Sequence, residues 1–406
     1  MKVLFLTHRV PYAPNRGDRI RAWHLLRSMS GYANVSLFAL SHDAGEAARL
    51  GDVPGTVAAE TVVIPKLGKY LRGLAQLPGS RPLTHALLDA PGARAAIQSL
   101  VDAHPPDVVL AYCSGMARFA LEPPLTRVPY VLDMVDVDSH KWRGMSTKTA
   151  LPMSWVYQRE ARTLSAFEKI ASERACAVLV VNDRERDAVT AIAPGADVHV
   201  IPVGIDLPAY QPPAPPAPSD TVVFCGMMDY PPNVEAAIWF ARDIWPLVRR
   251  DYAAARFTIV GANPPARVRA LASDPSIVVT GRVDQVQPYL WSAALSVAPV
   301  RLARGLQNKV MEALAAGLPT VVTTAVHEGL PAGIDRGCLV ADDEAAFAAA
   351  VVGLLRLSPE DRRALADASD VRRFDWPVQL LPVRSILEHA AGRVGSEQGR
   401  SRVGAG

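Results

Sequence analysis

Short runs rich in Val, Ile and Leu alternate with longer amphipathic stretches along most of the chain, the pattern of βαβ units that build parallel sheets. In the first half strands are expected at 3–7, 35–40, 61–64, 108–112, 130–133, 177–181 and 198–203. Between them, 18–30 carries Ile20, Trp23, Leu25 and Leu26 at helical spacing, and 155–172 reads as a long helix with one charged face. The rhythm then stops. Pro208, Pro212, Pro213, Pro215, Pro216 and Pro218 have no amide N–H to give a helix or a ladder, so 208–220 is expected to be an extended linker. After it the alternation resumes, with strands at 221–225, 256–260, 277–280, 295–299, 320–323 and 338–340 and helices at 234–248, 285–292 and 309–316. The expectation is two α/β domains, 1–207 and 221–374, joined by that linker, with the cleft between them as the ligand site. A last helix over 375–391 and a Gly-, Ser- and Arg-rich tail over 392–406, expected to be disordered, complete the chain.

Composition narrows the class. A chain of 406 residues exceeds what one hydrophobic core holds, in keeping with two domains. The net charge is only +3 and aromatic residues make up 6%, which argues against a protein that coats nucleic acid or stacks its bases. Cys113, Cys176, Cys225 and Cys338 lie far apart with no C-x-x-C pair, so neither a zinc site nor a disulfide framework is expected, and a reducing cytoplasm fits. The first apolar run, 3–6, is too short for a signal peptide, and no window approaches the ~20 apolar residues of a membrane span.

In open α/β sheets ligands bind beyond the carboxyl ends of the strands, so the segments after strands hold the chemistry. The first such loop contains Pro11, Pro14 and Gly17, followed by Asp18 as a helix cap; it reads equally as an anion-binding glycine loop or as an ordinary turn. After 130–133 come Asp136, Asp138 and His140, which suit polar contacts to sugar hydroxyls or an acceptor, a weak divalent-metal D-x-D, or a solvated helix cap. In the second half, Gly305 permits a tight loop and Gln307, Asn308 and Lys309 open a helix that Gly317 and Pro319 stop. The free N–H groups of a helix start suit a diphosphate, and Lys309 adds a full charge there. Glu312 falls on the same face and can accept both hydroxyls of a ribose; a surface pair of Lys309 and Glu312 is the bland alternative. Arg301 and Arg304 crowd the same loop, and Gly281, Arg282 and Val283 could let a flat base lie on backbone.

These segments resemble a family. VIPVGID at 200–206, VVTGRV at 278–283, MEALAAGLPTVVT at 311–323 and FDW at 374–376 are similar to the corresponding segments of the retaining GT-B glycosyltransferases of family 4, with Val203 where Asn is usual. HRVPYAPNRGDRIR, VDVDSHKW, GMMDYPPNVEA and RGLQNKVMEA resemble the sugar transferases associated with exosortase (PEP-CTERM) exopolysaccharide clusters. The resemblance implies an α/β GT-B fold, two Rossmann-like domains facing across a cleft, with a C-terminal helix crossing back to the first. It implies that Glu312, the second Glu of the Glu-x7-Glu motif, holds the nucleotide ribose. By the same resemblance Gly281, Arg282 and Val283 meet the base, Gly17 lies near the donor phosphates and acceptor, Asn308 and Lys309 meet the diphosphate, and His140 stands near the transferred sugar. Arg304 occupies the position of the first Glu of that motif. It reverses the charge, pointing to a donor sugar that carries a carboxylate or to sugar recognition built otherwise.

The reaction implied is glycosyl transfer from a nucleoside diphosphate sugar (UDP- or GDP-linked) to a saccharide or lipid-linked acceptor, with retention and without metal or other cofactor. Lys309, Arg304 and helix-start amides would stabilise the leaving diphosphate, with Asp138 or His140 on the acceptor side and closure of the two domains excluding water. A sugar-nucleotide epimerase shares this architecture, and a non-catalytic nucleotide-sugar-binding partner stays open because of Arg304. A metal-dependent GT-A transferase using Asp136 and Asp138 is disfavoured by the mid-chain linker and second α/β lobe. The expected location is cytoplasmic. The basic, amphipathic stretch 66–81 fits either peripheral contact with the inner membrane face or a solvated segment over the first domain.

Overall fold

The structure is a computed structural model and describes residues 1–12, 17–65, 73, 75–147, 149–215, 217–302 and 307–403. The chain divides into two compact units. Met1–Val203 with Pro377–Gly406 forms one, and Gly204–Trp376 the other.

The first unit is built on strands β1 (Lys2–Thr7), β2 (Asn34–Ser41), β3 (Thr56–Val63), β4 (Val108–Tyr112), β5 (Tyr130–Val135), β6 (Ala177–Val180) and β7 (Val198–Val200). They pair in the order β3-β2-β1-β4-β5-β6-β7, every ladder parallel. β1, β4 and β6 are unbroken apolar runs because helices cover both faces of a parallel sheet, so no alternation is required. β3 is the exception. It starts at Thr56 rather than 61 because Ala58, Ala59 and Glu60 on this edge strand carry too little hydrophobic signal.

The second unit holds β8 (Thr221–Cys225), β9 (Arg256–Val260), β10 (Ile277–Gly281), β11 (Leu295–Ala298), β12 (Thr320–Val322) and β13 (Cys338–Val340), paired in parallel in the order β10-β9-β8-β11-β12-β13. In both sheets the strand order reverses once, between β1 and β4 and between β8 and β11. Such a switch point opens a crevice at the carboxyl ends of its two strands.

Several elements depart from expectation. The helix expected over 234–248 begins at Pro231 and runs in three pieces, Pro231–Trp239, a π turn over Phe240–Ile244, and Trp245–Asp251. Pro246 has no N–H for the carbonyl of Arg242, and the chain widens there. The proline-rich segment is not wholly extended, since Leu207–Tyr210 makes one helical turn with Pro208 in its first positions, where a missing N–H costs nothing. The first helix opens at Gly17, so Asp18 lies inside it instead of capping it. The final helix, Leu381–Val403, passes the expected end at 391 and enters the tail expected to be disordered; no proline interrupts 391–403, and Arg393, Glu397, Gln398 and Arg400 are good helix formers between the glycines. Trp245, Phe240, Phe257 and Phe347 form the aromatic centre of the second core, where the buried Trp245 indole donates to Ser276 Oγ at 2.9 Å.

Candidate functional site

The carboxyl edge of the second sheet is lined by backbone without side chains. Gly226 and Gly261 follow β8 and β9, Gly281 ends β10, and the three segments are linked across the strands: Gly226 N donates to Val260 O at 3.0 Å and Gly261 N to Gly281 O at 3.3 Å. A Cβ on Gly261 would sit 1.7 Å from Gly226 O, so only glycine fits. Gly281 has φ +71, a conformation that a side chain would strain. Beyond it Arg282 is exposed, while Val283 packs on the cluster of Val223, Cys225, Val260 and Ala313.

The Asn308–Ala315 helix starts at the switch point between β8 and β11, with Gln307 as its N-cap and Asn308 exposed at its first position. Its apolar side, Val310, Met311, Leu314 and Ala315, enters the core, which leaves Lys309 and Glu312 on the other flank. Lys309 Nζ lies 5.0 Å from the centre of the Phe224 ring and donates to Asn233 Oδ1 at 2.5 Å. Asn233 is itself buried, and its Nδ2 donates to Met227 O at 3.0 Å. Burial pulls the Lys309 amine down to about 8, against the opposing pull of Cys225 and Glu312. Burial likewise pushes the Glu312 carboxyl up, opposed by a hydrogen bond from the Tyr210 hydroxyl and by the charge of Lys309. Among the described residues no ion pair joins Lys309 to any carboxylate. The site therefore holds a desolvated cation on a neutral acceptor and a desolvated carboxylate on a neutral donor.

Tyr210 was not legible as a site residue. Its carbonyl accepts from Trp291 Nε1 at 2.8 Å, and Gln211 Nε2 donates to Ala315 O at 3.3 Å, so this part of the proline-rich segment is fastened along the Asn308–Ala315 helix. Asn233 and the pairing of Gly226 with Gly261 were missed as well. A Gly after each of three successive strands, in CGMM, VGAN and TGRV, was the available signal.

In the first unit the charged groups near the strand ends engage one another. Arg21 Nε donates to Asp133 Oδ2 at 2.8 Å, both buried, and Arg21 Nη1 to Ile201 O at 2.8 Å. Buried Glu46 accepts from Val10 N and His42 N and pairs with Arg9 at 3.3 Å and Arg19 at 3.2 Å, fixing the chain after β1. Val135 and Cys113 hold φ of 67° and 69°, strained for side chains that are not glycine, at the ends of β5 and β4. Cys113 Sγ lies 3.5 Å from His8 Nδ1, and the His8 ring stacks on Tyr112.

Asp138 and His140 sit in the first turn of the Asp138–Ser146 helix, His140 exposed and Asp138 accepting from Ser114 Oγ at 3.3 Å. Burial raises the Asp138 carboxyl, opposed by Lys141 and the Ser114 hydrogen bond. Gly17 opens the Gly17–Ser30 helix of the same unit. The structure thus groups Gln307, Asn308, Lys309, Glu312, Gly281 and Val283 in the second unit and Gly17, Asp138 and His140 in the first. Arg304 and Gly305 lie outside the described residues, as does half of the basic stretch 66–81. Among the described residues no three His, Cys, Asp or Glu side chains meet as a metal-binding group, and no helix is long and apolar enough to cross a membrane.

Each of the two units resembles known proteins. Residues 16–204 match the family model of the glycosyl transferase 4-like domain, and residues 219–357 that of glycosyl transferases group 1. No curated protein matches the sequence. Among solved structures, sucrose-phosphate synthase from Thermosynechococcus elongatus matches over 100% of both chains with a TM-score of 0.61 at 15% identity. The N-terminal domain of Candida albicans trehalose-6-phosphate phosphatase matches over 96% of this chain and 97% of its own, with a TM-score of 0.62 at 12% identity. Anabaena HepE in complex with UDP-glucose matches over 98% and 100%, with a TM-score of 0.57 at 15% identity. At such identities the likeness is one of fold, the GT-B type with two Rossmann-like parallel-sheet domains. With a glycosyltransferase domain matched in each unit and this fold along the chain, the protein is a glycosyltransferase of the group 1 type.

Proposed function

We propose that the protein moves a glycosyl group from a nucleoside diphosphate sugar to a hydroxyl of a saccharide or lipid-linked acceptor in cell-surface polysaccharide synthesis, with retention and without a metal ion. The observation that carries this reading is the pair on one helix at the switch point: Lys309, a half-buried cation on a neutral acceptor, and Glu312, a carboxylate one turn on. A diphosphate supplies the anion that Lys309 lacks, and a ribose supplies hydroxyls to Glu312. The amides of Asn308 and Lys309 at the helix start add donors on the same side.

In the reaction the bond from the anomeric carbon to the leaving diphosphate oxygen breaks, and the bond to the acceptor oxygen forms. The acceptor proton passes to the leaving diphosphate, so no protein nucleophile is needed. Lys309 stabilises the charge as it grows, joined by Arg304, which precedes the helix in sequence. Gly281, Arg282 and Val283 offer a flat backbone for the base. Asp138, held by Ser114, His140 and the Gly17 loop serve the acceptor side. UDP is the first base to test, because Anabaena HepE, of like fold, was solved with UDP-glucose; GDP is the second.

The test is incubation with UDP- and GDP-sugars, uronates included, with and without saccharide acceptors, following nucleoside diphosphate release and product anomer. Acceptor-dependent release with retained configuration is expected. Interconversion of the sugar nucleotide without acceptor would replace this reading with an epimerase. Nucleotide binding with no turnover on any acceptor would favour a non-catalytic partner.

A further inference from the structure

The helices Asp138–Ser146 and Met153–Arg174 of the first unit pack as a hairpin. Around its tip, Met145, Leu151, Met153 and Trp155 are 37%, 79%, 43% and 51% exposed. Single exposed apolar residues are ordinary, but four within eleven positions make a patch.

Among the described residues from 139 to 170 the exposed charges have one sign. From 139 to 170 the acidic residues are Glu160 and Glu168, and both are buried. Glu160 accepts from Leu83 N and Thr84 N, and Glu168 from Ser139 N. The exposed charges among the described residues of this stretch are Lys141, Arg143, Arg162 and Lys169, of which Lys169 pairs with Glu173 at 3.9 Å near the other end of its helix. Soluble surfaces usually intersperse both signs. Arg143 and Arg162 further share an open groove of about 260 Å³ with Gln158, Ala161 and Ser165. Neither guanidinium makes an ion pair or side-chain hydrogen bond with a described residue. Two unpartnered guanidinium groups facing one groove match the oxygens of a phosphate, and an apolar tip with an exposed indole matches the boundary between headgroups and acyl chains.

We propose that this hairpin is a docking site for an anionic phospholipid surface. The phosphate of one lipid sits between Arg143 and Arg162, and Met145, Leu151, Met153 and Trp155 reach the acyl boundary. Docking of this kind holds the first unit at a membrane without a spanning helix, and it stands independently of the sugar-transfer reading.

The test is flotation of the full chain with phosphatidylcholine vesicles with and without phosphatidylglycerol, at low and high salt. Wild type is expected to float with the anionic vesicles, less so at high salt, and to stay behind with phosphatidylcholine alone. Arg143→Gln/Arg162→Gln should lower partitioning about fivefold for each charge removed, and Leu151→Ser/Trp155→Ser roughly tenfold. Both double variants change exposed side chains, and an unaltered melting temperature shows that they fold. No flotation of wild type, or equal flotation of the variants, overturns the proposal. So does concentration-dependent self-association in the ultracentrifuge, lost in Leu151→Ser/Trp155→Ser without any flotation, which would give the patch to a second copy. Inorganic phosphate binding to the groove without flotation would make it a site for free phosphate instead.

Discussion

In the first unit, the charged side chains around the switch point between β1 and β4 pair with each other: Arg21 with Asp133, and Glu46 with Arg9 and Arg19. In the second unit, the switch point between β8 and β11 presents Lys309 on the amide of Asn233 and Glu312 on the hydroxyl of Tyr210. The two sheets share one plan of connections, yet the charges in one pair with opposite charges and those in the other rest on neutral hydrogen-bond partners. Burial shifts groups in both places. It pushes the Asp133 carboxyl up against the pull of Arg21, and it pulls the Lys309 amine down to about 8 against the weaker pull of Cys225 and Glu312, with no carboxylate at ion-pair distance among the described residues. The lesson is that an ionisable group in a crevice points to a ligand when its partners are neutral, and to a structural role when its partner is an opposite charge inside the same unit.

The largest expected effect comes from breaking a paired charge. Asp133→Ala strands Arg21 in the core and should cost about 3–5 kcal/mol of stability in the first unit, read by chemical denaturation, while nucleotide binding by the second unit stays unchanged. A drop in nucleotide affinity at undiminished stability would erase the contrast. Next, Lys309→Met should lower kcat/KM by roughly 10²–10³-fold, about 3–4 kcal/mol, the loss typical of one preorganised electrostatic contact. Its stability should not fall comparably, because a partly desolvated charge has gone.

The pH dependence sharpens the same point. Below about 8 the Lys309 amine is protonated, and above it the cation is lost. Diphosphate affinity should therefore be flat below pH 8 and weaken by up to about tenfold per unit above it. Because the unfolded chain keeps that proton up to the ordinary lysine value of 10.5, it binds more protons over this window, so stability should rise with pH there. Both slopes should vanish in Lys309→Met. The smallest effect is expected from Tyr210→Phe. Loss of one hydrogen bond to a charged group should weaken nucleotide binding by about tenfold. If Tyr210 acts by orienting Glu312, the preference for ribose over 2′-deoxyribose nucleotides should shrink as well. An unchanged preference would make Tyr210 a packing residue only.

Much of the scaffold was legible because it rests on local signals. The buried apolar strands declared both sheets, and the helix that opens at Asn308, with its stop at Gly317 and Pro319, was readable from periodicity and breakers within a dozen residues. What was not legible depends on partners far apart in sequence. Tyr210 and Glu312 meet across about a hundred residues, and the prolines around Tyr210 read as a linker because they carry no helix or ladder donors. Asp133 reads as an ordinary strand end because its partner Arg21 lies 112 residues away in sequence, and Gly261 is required only because Gly226 O, after the neighbouring strand, approaches so closely. The hairpin surface escaped for a different reason. Its acids are present in the sequence, and only the fold shows that Glu160 and Glu168 are inside.

The central claim is that Lys309 and Glu312 await a nucleoside diphosphate, and calorimetric titration of UDP, GDP and ADP into wild type and Glu312→Ala tests it most directly. Binding of one nucleotide by wild type, weakened at least tenfold in the variant at unchanged melting temperature, is the predicted result. Folded protein that binds none of the three, or binds them equally well without Glu312, would contradict it.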